Sequence, residues 1–360
     1  MLVAHGHARH PAQETAQSAP GKPGSFKVDS ISPVSGQRRA NGSFPITVSF
    51  NAPVAPNTPQ PQLKPAVAGN WSEFGNVMTF TPDSPFKPGE RISVLIPAGA
   101  TGVHSANGVT LTKTVTDRFT TGGYSSLRLA QLLGELGFLP LHWTPGSEGS
   151  LAEAERTTNT AALSQADLAF SPPPGSFRWE PGYPGMIRTF WNPNKPNVII
   201  TGAMMAFESQ HGMTLNETPT PKLWSALFQA AKKQQRNKVG YTYAIASKNL
   251  PETLTIWHDG RIVERTLANT GIPVSPTVDG TFPVYLRFRF QIMRGTNPDG
   301  SSYADPVSWV SYFNGGDAVH YFPRGSYGFQ QSLGCVELPW NSAEHAYPYL
   351  TYGSLVTVTG

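Results

Sequence analysis

The chain has 360 residues, more than one ordinary core accommodates and a length suited to two or three domains. Hydrophobic residues make up 39% and charged residues 14%, with 35 Gly beside 34 Pro, so a disordered chain and a helical bundle are both disfavoured and turn-rich β domains are expected. The net charge of +4 is spread without a dense basic stripe, which argues against a nucleic-acid binder and suits a protein working near anionic polymers.

Residues 1–25, rich in Ala, Gln, Pro, Gly and His, read as a flexible tether. No apolar run there or later suits a signal segment or a membrane span, so no span is expected. An export segment is expected to lie upstream of this chain, with the protein extracytoplasmic, in the cell wall or secreted.

Residues 26–122 read as an all-β module. Phe44–Phe50, Val77–Phe80 and Ile92–Ile96 alternate apolar and polar residues as half-buried strands do, with Pro/Gly/Asn/Asp clusters between them. That spacing suits a β-sandwich. The stretches Ile31–Val34, Phe50–Val54, Phe80–Pro82, Pro88–Ile92 and Gly108–Thr110 resemble bacterial Ig-like domains, and the resemblance implies a spacer or adhesive module without chemistry of its own.

Residues 123–236 look helical at both ends. Leu129, Leu132, Leu133 and Leu136 recur at helical spacing before Gly137. Thr201–Gly212 reads as a second, amphipathic helix with a glycine stop, and Pro219–Leu227 opens a third with proline in its first turn. Leu133-x-x-Leu136-Gly137-Phe138, Ala203-x-x-Ala206-Phe207 with Gly212-Met213, and Thr220 with Trp224 and Leu227 resemble the three-helix peptidoglycan-binding domain. An insertion of roughly 60 residues separates the first two helices.

From residue 240 to 360 the chain turns β-rich again. Tyr241–Ala246, Glu252–Trp257 and Arg261–Leu267 alternate, with a hairpin signal at His258–Gly260. Val284–Ile292 alternates too, with Arg287, Arg289 and Gln291 on one face, and Ser354–Thr359 closes the chain as a strand. The whole is therefore expected to be multidomain and mainly β: a sandwich, a small helical module and a mixed, mainly β domain.

The chemistry concentrates around Cys335, the chain's single cysteine, which excludes a disulfide within the chain. A cysteine is a nucleophile when an imidazole, a positive charge or a helix N-terminus makes its thiolate accessible. Gly334 permits a sharp turn, consecutive N–H groups around Gly334 and Cys335 can face a developing oxyanion, and Ser332 can brace the turn. His320, 15 residues upstream, can return beside the sulfur on a neighbouring strand. Tyr303, Trp309, Tyr312 and Phe313 precede the motif and are candidates to line a cleft. No metal reading competes: His320 and His345 lack the spacing of a zinc helix, and one cysteine builds no structural zinc cluster. Without a Gly-rich phosphate loop, no cofactor is expected.

His320 with Ser332-x-Gly334-Cys335-Val336, followed by Ala346–Val358, resembles the L,D-transpeptidase catalytic domain of the YkuD type. Upstream landmarks agree: Leu254–Trp257, Asp259-Gly260, Asn269–Gly271 and Pro276–Val284. The resemblance implies Cys335 as nucleophile and His320 as general base, its other ring nitrogen fixed by a backbone carbonyl, that of Tyr321. It implies attack on the third residue of a peptidoglycan stem tetrapeptide, release of terminal D-Ala, a thioester, and resolution by a second stem into a 3→3 cross-link. Hydrolysis of the same thioester would make an L,D-carboxypeptidase, and loss of chemistry would leave a silent wall-binding protein. Stem peptides and glycan strands are the implied partners, and carbapenems the implied covalent ligands. Leu333 stands where many members have His, and Glu337 where Asn or Arg is common; both are candidates to touch substrate and shift its preference.

Overall fold

The computed structural model describes residues 25–146 and 164–360, so all of the expected tether but Ser25 lies outside the described residues. The chain divides into two compact units at Gly122 and Gly123.

The first unit holds strands β1 (Val28–Ser32), β2 (Arg38–Ala40), β3 (Ile46–Phe50), β4 (Gln62–Lys64), β5 (Gly69–Phe74), β6 (Val77–Pro82), β7 (Arg91–Ile96) and β8 (Val115–Thr121). They form two four-stranded sheets, in the orders β1-β3-β6-β5 and β2-β8-β7-β4. Ile46, Val48 and Phe50 of one sheet and Ile92, Val94 and Ile96 of the other are buried in one core. The period-two pattern sends these side chains between the sheets, as a sandwich requires. Each large apolar side chain buried there contributes about 1.5–3 kcal/mol.

The second unit opens with helix α1 (Ser126–Glu135), capped by the Ser125 hydroxyl on the Leu127 N–H. The described part of the insertion supplies β9 (Leu141–Pro145), α2 (Gln165–Phe170), β10 (Gly175–Trp179) and a 3₁₀ turn at Gly185–Phe190; β9 and β10 pair antiparallel. Two further helices follow, α3 (Val198–Gln210), capped by Asn197, and α4 (Pro221–Lys232), capped by Thr220 with Pro221 in its first turn. Contrary to the amphipathic reading, α3 is buried on most of its surface, Ile199, Met204, Met205, Phe207 and Glu208 included. The physical reason is a backbone approach: a Cβ at Gly202 would meet the Gly353 carbonyl oxygen at 2.5 Å. With no side chain in between, the helix sinks onto the sheet beside it.

The remaining strands are β11 (Thr242–Ser247), β12 (Thr253–His258), β13 (Arg261–Leu267), β14 (Gly280–Pro283), β15 (Leu286–Thr296), β16 (Ser302–Asn314), β17 (Asp317–Tyr321), β18 (Val336–Leu338) and β19 (Leu355–Thr359), with helix α5 (Trp340–Ala346). One sheet runs β13-β12-β11-β19-β14, and β11 pairs parallel with β19. The other runs β15-β16-β17-β18, and β17 pairs parallel with β18. The helices are not detached from these strands: Leu132, Phe138, Met204, Phe207 and Leu227 share one core with Tyr241, Tyr243 and Leu355. Of the alternating stretch Val284–Ile292, Val284 is buried before the strand and the strand itself starts at Leu286, with its apolar face pointing outward. Phe288 is 37%, Phe290 61% and Ile292 45% exposed, while Gln291 faces a cavity.

Candidate active site

The parallel pair β17–β18 builds the site. Its register sets Val319 opposite Val336, His320 opposite Glu337 and Tyr321 opposite Leu338. Alternation sends Val319, Val336 and Leu338 into one core cluster. His320, Cys335 and Glu337 therefore share the other face, where they line a cavity of about 450 Å³.

His320 is buried, and its Nδ1 lies 2.9 Å from the Tyr321 carbonyl oxygen. A carbonyl only accepts, so Nδ1 carries the proton and Nε2 keeps its lone pair. Burial pulls the imidazole below its ordinary range, and the Tyr321 carbonyl and Glu337 only partly offset this. The ring is a neutral base.

Cys335 is part-buried, and its Sγ lies 3.7 Å from the Gly316 carbonyl oxygen. Burial first, then the charges of Asp317 and Glu337, push the thiol up to about 12 against a stabilising bond from the Ala318 backbone. At neutral pH the thiol is therefore protonated, and an attack by this sulfur would need a base to take its proton.

The turn before Cys335 is held from three sides. The buried Ser332 hydroxyl donates to the Cys335 carbonyl oxygen at 2.6 Å and accepts the Gly334 N–H at 3.2 Å. That bond occupies one of the two N–H groups expected around an oxyanion and leaves Cys335's own. From the Asn269–Val278 segment, Thr277 Oγ1 reaches the Cys335 carbonyl at 3.4 Å and Ser275 Oγ the Leu333 carbonyl at 3.0 Å. Gly334 sits at φ +119°, against the Asp317 carboxylate.

The other expected residues divide. Leu333, Tyr303 and Tyr312 line the cavity, and the Tyr312 hydroxyl is 3.1 Å from Gln291 Oε1. Trp309 and Phe313 do not line it. Alternation puts Phe313 opposite Tyr312, in the core beside Phe282, and a local break in the β16–β17 register turns Trp309 toward Trp340 and Tyr347. The Tyr321 ring packs edge-on to Trp340, so this residue meets the site through its carbonyl. Glu337 is buried with both carboxylate oxygens on Arg324, each at 2.7 Å, so its charge does not face the cavity unpaired. Arg324 and Asp317 carry no motif, and Thr277, though inside the Pro276–Val284 landmark, was not singled out, so sequence reasoning missed all three. They reach the site through tertiary pairing alone.

Among the described residues no group of three or more His, Cys, Asp or Glu side chains is arranged to hold a metal ion, and no helix is long and apolar enough to cross a membrane.

Residues 24–121 match the bacterial Ig-like domain family, and residues 242–358 match the L,D-transpeptidase catalytic domain family. The chain thus joins an Ig-like domain to an L,D-transpeptidase catalytic domain. No curated protein matches it. Among solved structures, an L,D-transpeptidase from Mycobacterium smegmatis is 16% identical, with 93% of this chain and 99% of that chain covered and a TM-score of 0.32. L,D-transpeptidase 3 from Mycobacterium tuberculosis, solved with a faropenem-derived adduct, is 16% identical over 92% of this chain and 98% of that one, with a TM-score of 0.32. The catalytic domain of the E. faecium L,D-transpeptidase is 24% identical over 34% of this chain and 99% of its own, with a TM-score of 0.30.

Proposed function

We propose that the cavity is an acyl-transfer centre that forms 3→3 cross-links in peptidoglycan, with Cys335 as nucleophile and His320 as general base. The observation that carries this reading is the pairing of β17 with β18, which sets both side chains on one face of one cavity with His320 Nδ1 tied to a carbonyl. Nε2 takes the thiol proton as Sγ attacks the carbonyl of the third stem residue, and the Cys335 N–H faces the oxyanion. The imidazolium returns the proton to the departing D-Ala amine, leaving a thioester. A side-chain amine of a second stem then resolves it; water in its place gives a carboxypeptidase.

This chemistry puts the protein outside the cytoplasm, among stem peptides and glycan strands, and makes Cys335 a target for carbapenem acylation. Residues 26–122 act as a spacer. The helical segment 123–236 we take as a peptidoglycan-binding-like element that orients the site. The test is mass spectrometry of the protein with a tetrapeptide donor and with a carbapenem. An adduct on wild type and none on Cys335→Ala supports the reading, dimeric products identify the transferase, and tripeptide monomers identify the hydrolase. A folded wild type that takes up neither compound is a wall binder instead.

A further inference from the structure

Two carboxylates flank Cys335, and their surroundings differ. Glu337 carries its own counter-ion, Arg324. Asp317, the first residue of β17, has no cation within salt-bridge reach among the described residues. Its Oδ2 takes only two long hydrogen bonds, each 3.4 Å, from the Val278 N–H and from Asn314 Nδ2. It is half-buried, lines the cavity, and packs against Gly334, where an added Cβ would meet its Oδ1 at 2.5 Å. Arg294 lines the same cavity but is not among the hydrogen-bond or ion-pair partners of Asp317.

A negative charge here works against a thiol nucleophile, because it disfavours the thiolate. Asp317 is among the causes that raise Cys335, and burial raises Asp317 itself. An unpaired, half-buried carboxylate is costly until a cation reaches it. Acyl transfer to a second stem brings one, since the acceptor's side-chain amine is an ammonium at neutral pH.

We propose that Asp317 binds the ammonium of the acceptor stem and presents it to the thioester on Cys335, so that this carboxylate sets the balance between amine transfer and hydrolysis. The inference rests on the acyl-transfer reading above. In the step, the C–N bond forms and the C–S bond breaks. The ammonium sheds two protons: one returns to the sulfur through His320, and the other passes to solvent.

Asp317→Asn keeps an oxygen for Val278 and Asn314 while removing the charge. Single-turnover kinetics then read thioester formation and aminolysis separately. Thioester formation should quicken by about threefold as the thiol's surroundings become less negative. Aminolysis by a diamino acid below saturation should slow by about tenfold, whereas hydroxylamine, uncharged at neutral pH, should be slowed far less. General damage to the site would slow every step, so the crossed result isolates the charge. If both nucleophiles lose equally, or neither loses, Asp317 is not the acceptor's anchor. If wild type forms no thioester on Cys335, the acyl-transfer reading falls and this inference with it.

Discussion

Arg324 grips Glu337 through two parallel hydrogen bonds, Nε to Oε2 and Nη2 to Oε1, both 2.7 Å, and spends a third on the Gln331 carbonyl at 3.0 Å. The partners differ in burial: the Glu337 side chain is 5% exposed and that of Arg324 28%. Removing the arginine strands a buried carboxylate, whereas removing the carboxylate frees a guanidinium that water can reach. Arg324→Ala should therefore cost about 2–4 kcal/mol and Glu337→Gln about 1–2 kcal/mol. Denaturant unfolding of the two variants checks the order; equal losses would count against it.

The pH profile follows from the direction of two shifts. His320 lies below the ordinary imidazole value of 6.5, so it stays a competent base on the acid side of that value. The thiol, pushed up to about 12, does not deprotonate on its own in the working range. The acylation rate should rise with an inflection below 6.5 and then hold a broad plateau. Alkylation by iodoacetamide should climb from pH 7 to about 10 without a midpoint. A narrow bell near neutrality would instead indicate a preformed thiolate–imidazolium pair.

Ser332 serves two backbone groups at once, the Cys335 carbonyl and the Gly334 N–H, in a buried position. Ser332→Ala leaves both without their hydroxyl, a loss of about 1–3 kcal/mol. The same change loosens the turn that aims the thiol, so carbapenem acylation should slow by about tenfold or more. Acylation at the wild-type rate in a destabilised variant would separate the two roles.

Much of this was legible in the chain. Within Phe44–Phe50 and Ile92–Ile96 the alternation matches the buried positions of the sandwich from Ile46 onward, since every second side chain must face the other sheet, but Phe44, before the strand begins, stands 60% exposed. His320 and Cys335 were legible because their motif is local, and β17 and β18 then run side by side. Alternation does not say which face is inside: Phe290, on the apolar face of its strand, stands 61% exposed, while Gln291 turns to the cavity. Nor does it reveal partners. Glu337 reads as a free charge beside the substrate, whereas on the cavity wall it is paired with Arg324, 13 positions away. Trp309 and Phe313 have the composition of a cleft and the placement of a core.

Gly202 offers a test of the helix–sheet contact. A methyl group there would meet the Gly353 carbonyl at 2.5 Å and Leu355 Cδ2 at 2.8 Å. Backbone cannot rotate away as a side chain can, so Gly202→Ala should destabilise the unit by about 1–3 kcal/mol or more. Calorimetry should show the loss in the transition of residues 123–360 and leave that of the Ig-like unit where it was.

That contact also bears on where an autonomous folding piece can begin. The catalytic family match starts at residue 242, yet Tyr243 and Leu355 lie in a core completed by Leu132, Phe138, Met204 and Phe207. A fragment cut at residue 242 would leave that side of the sheet wet, with apolar surface open to self-association. The smallest soluble piece should begin near Gly123, so the boundary of the recognisable motif and the boundary of the cooperative unit lie more than a hundred residues apart.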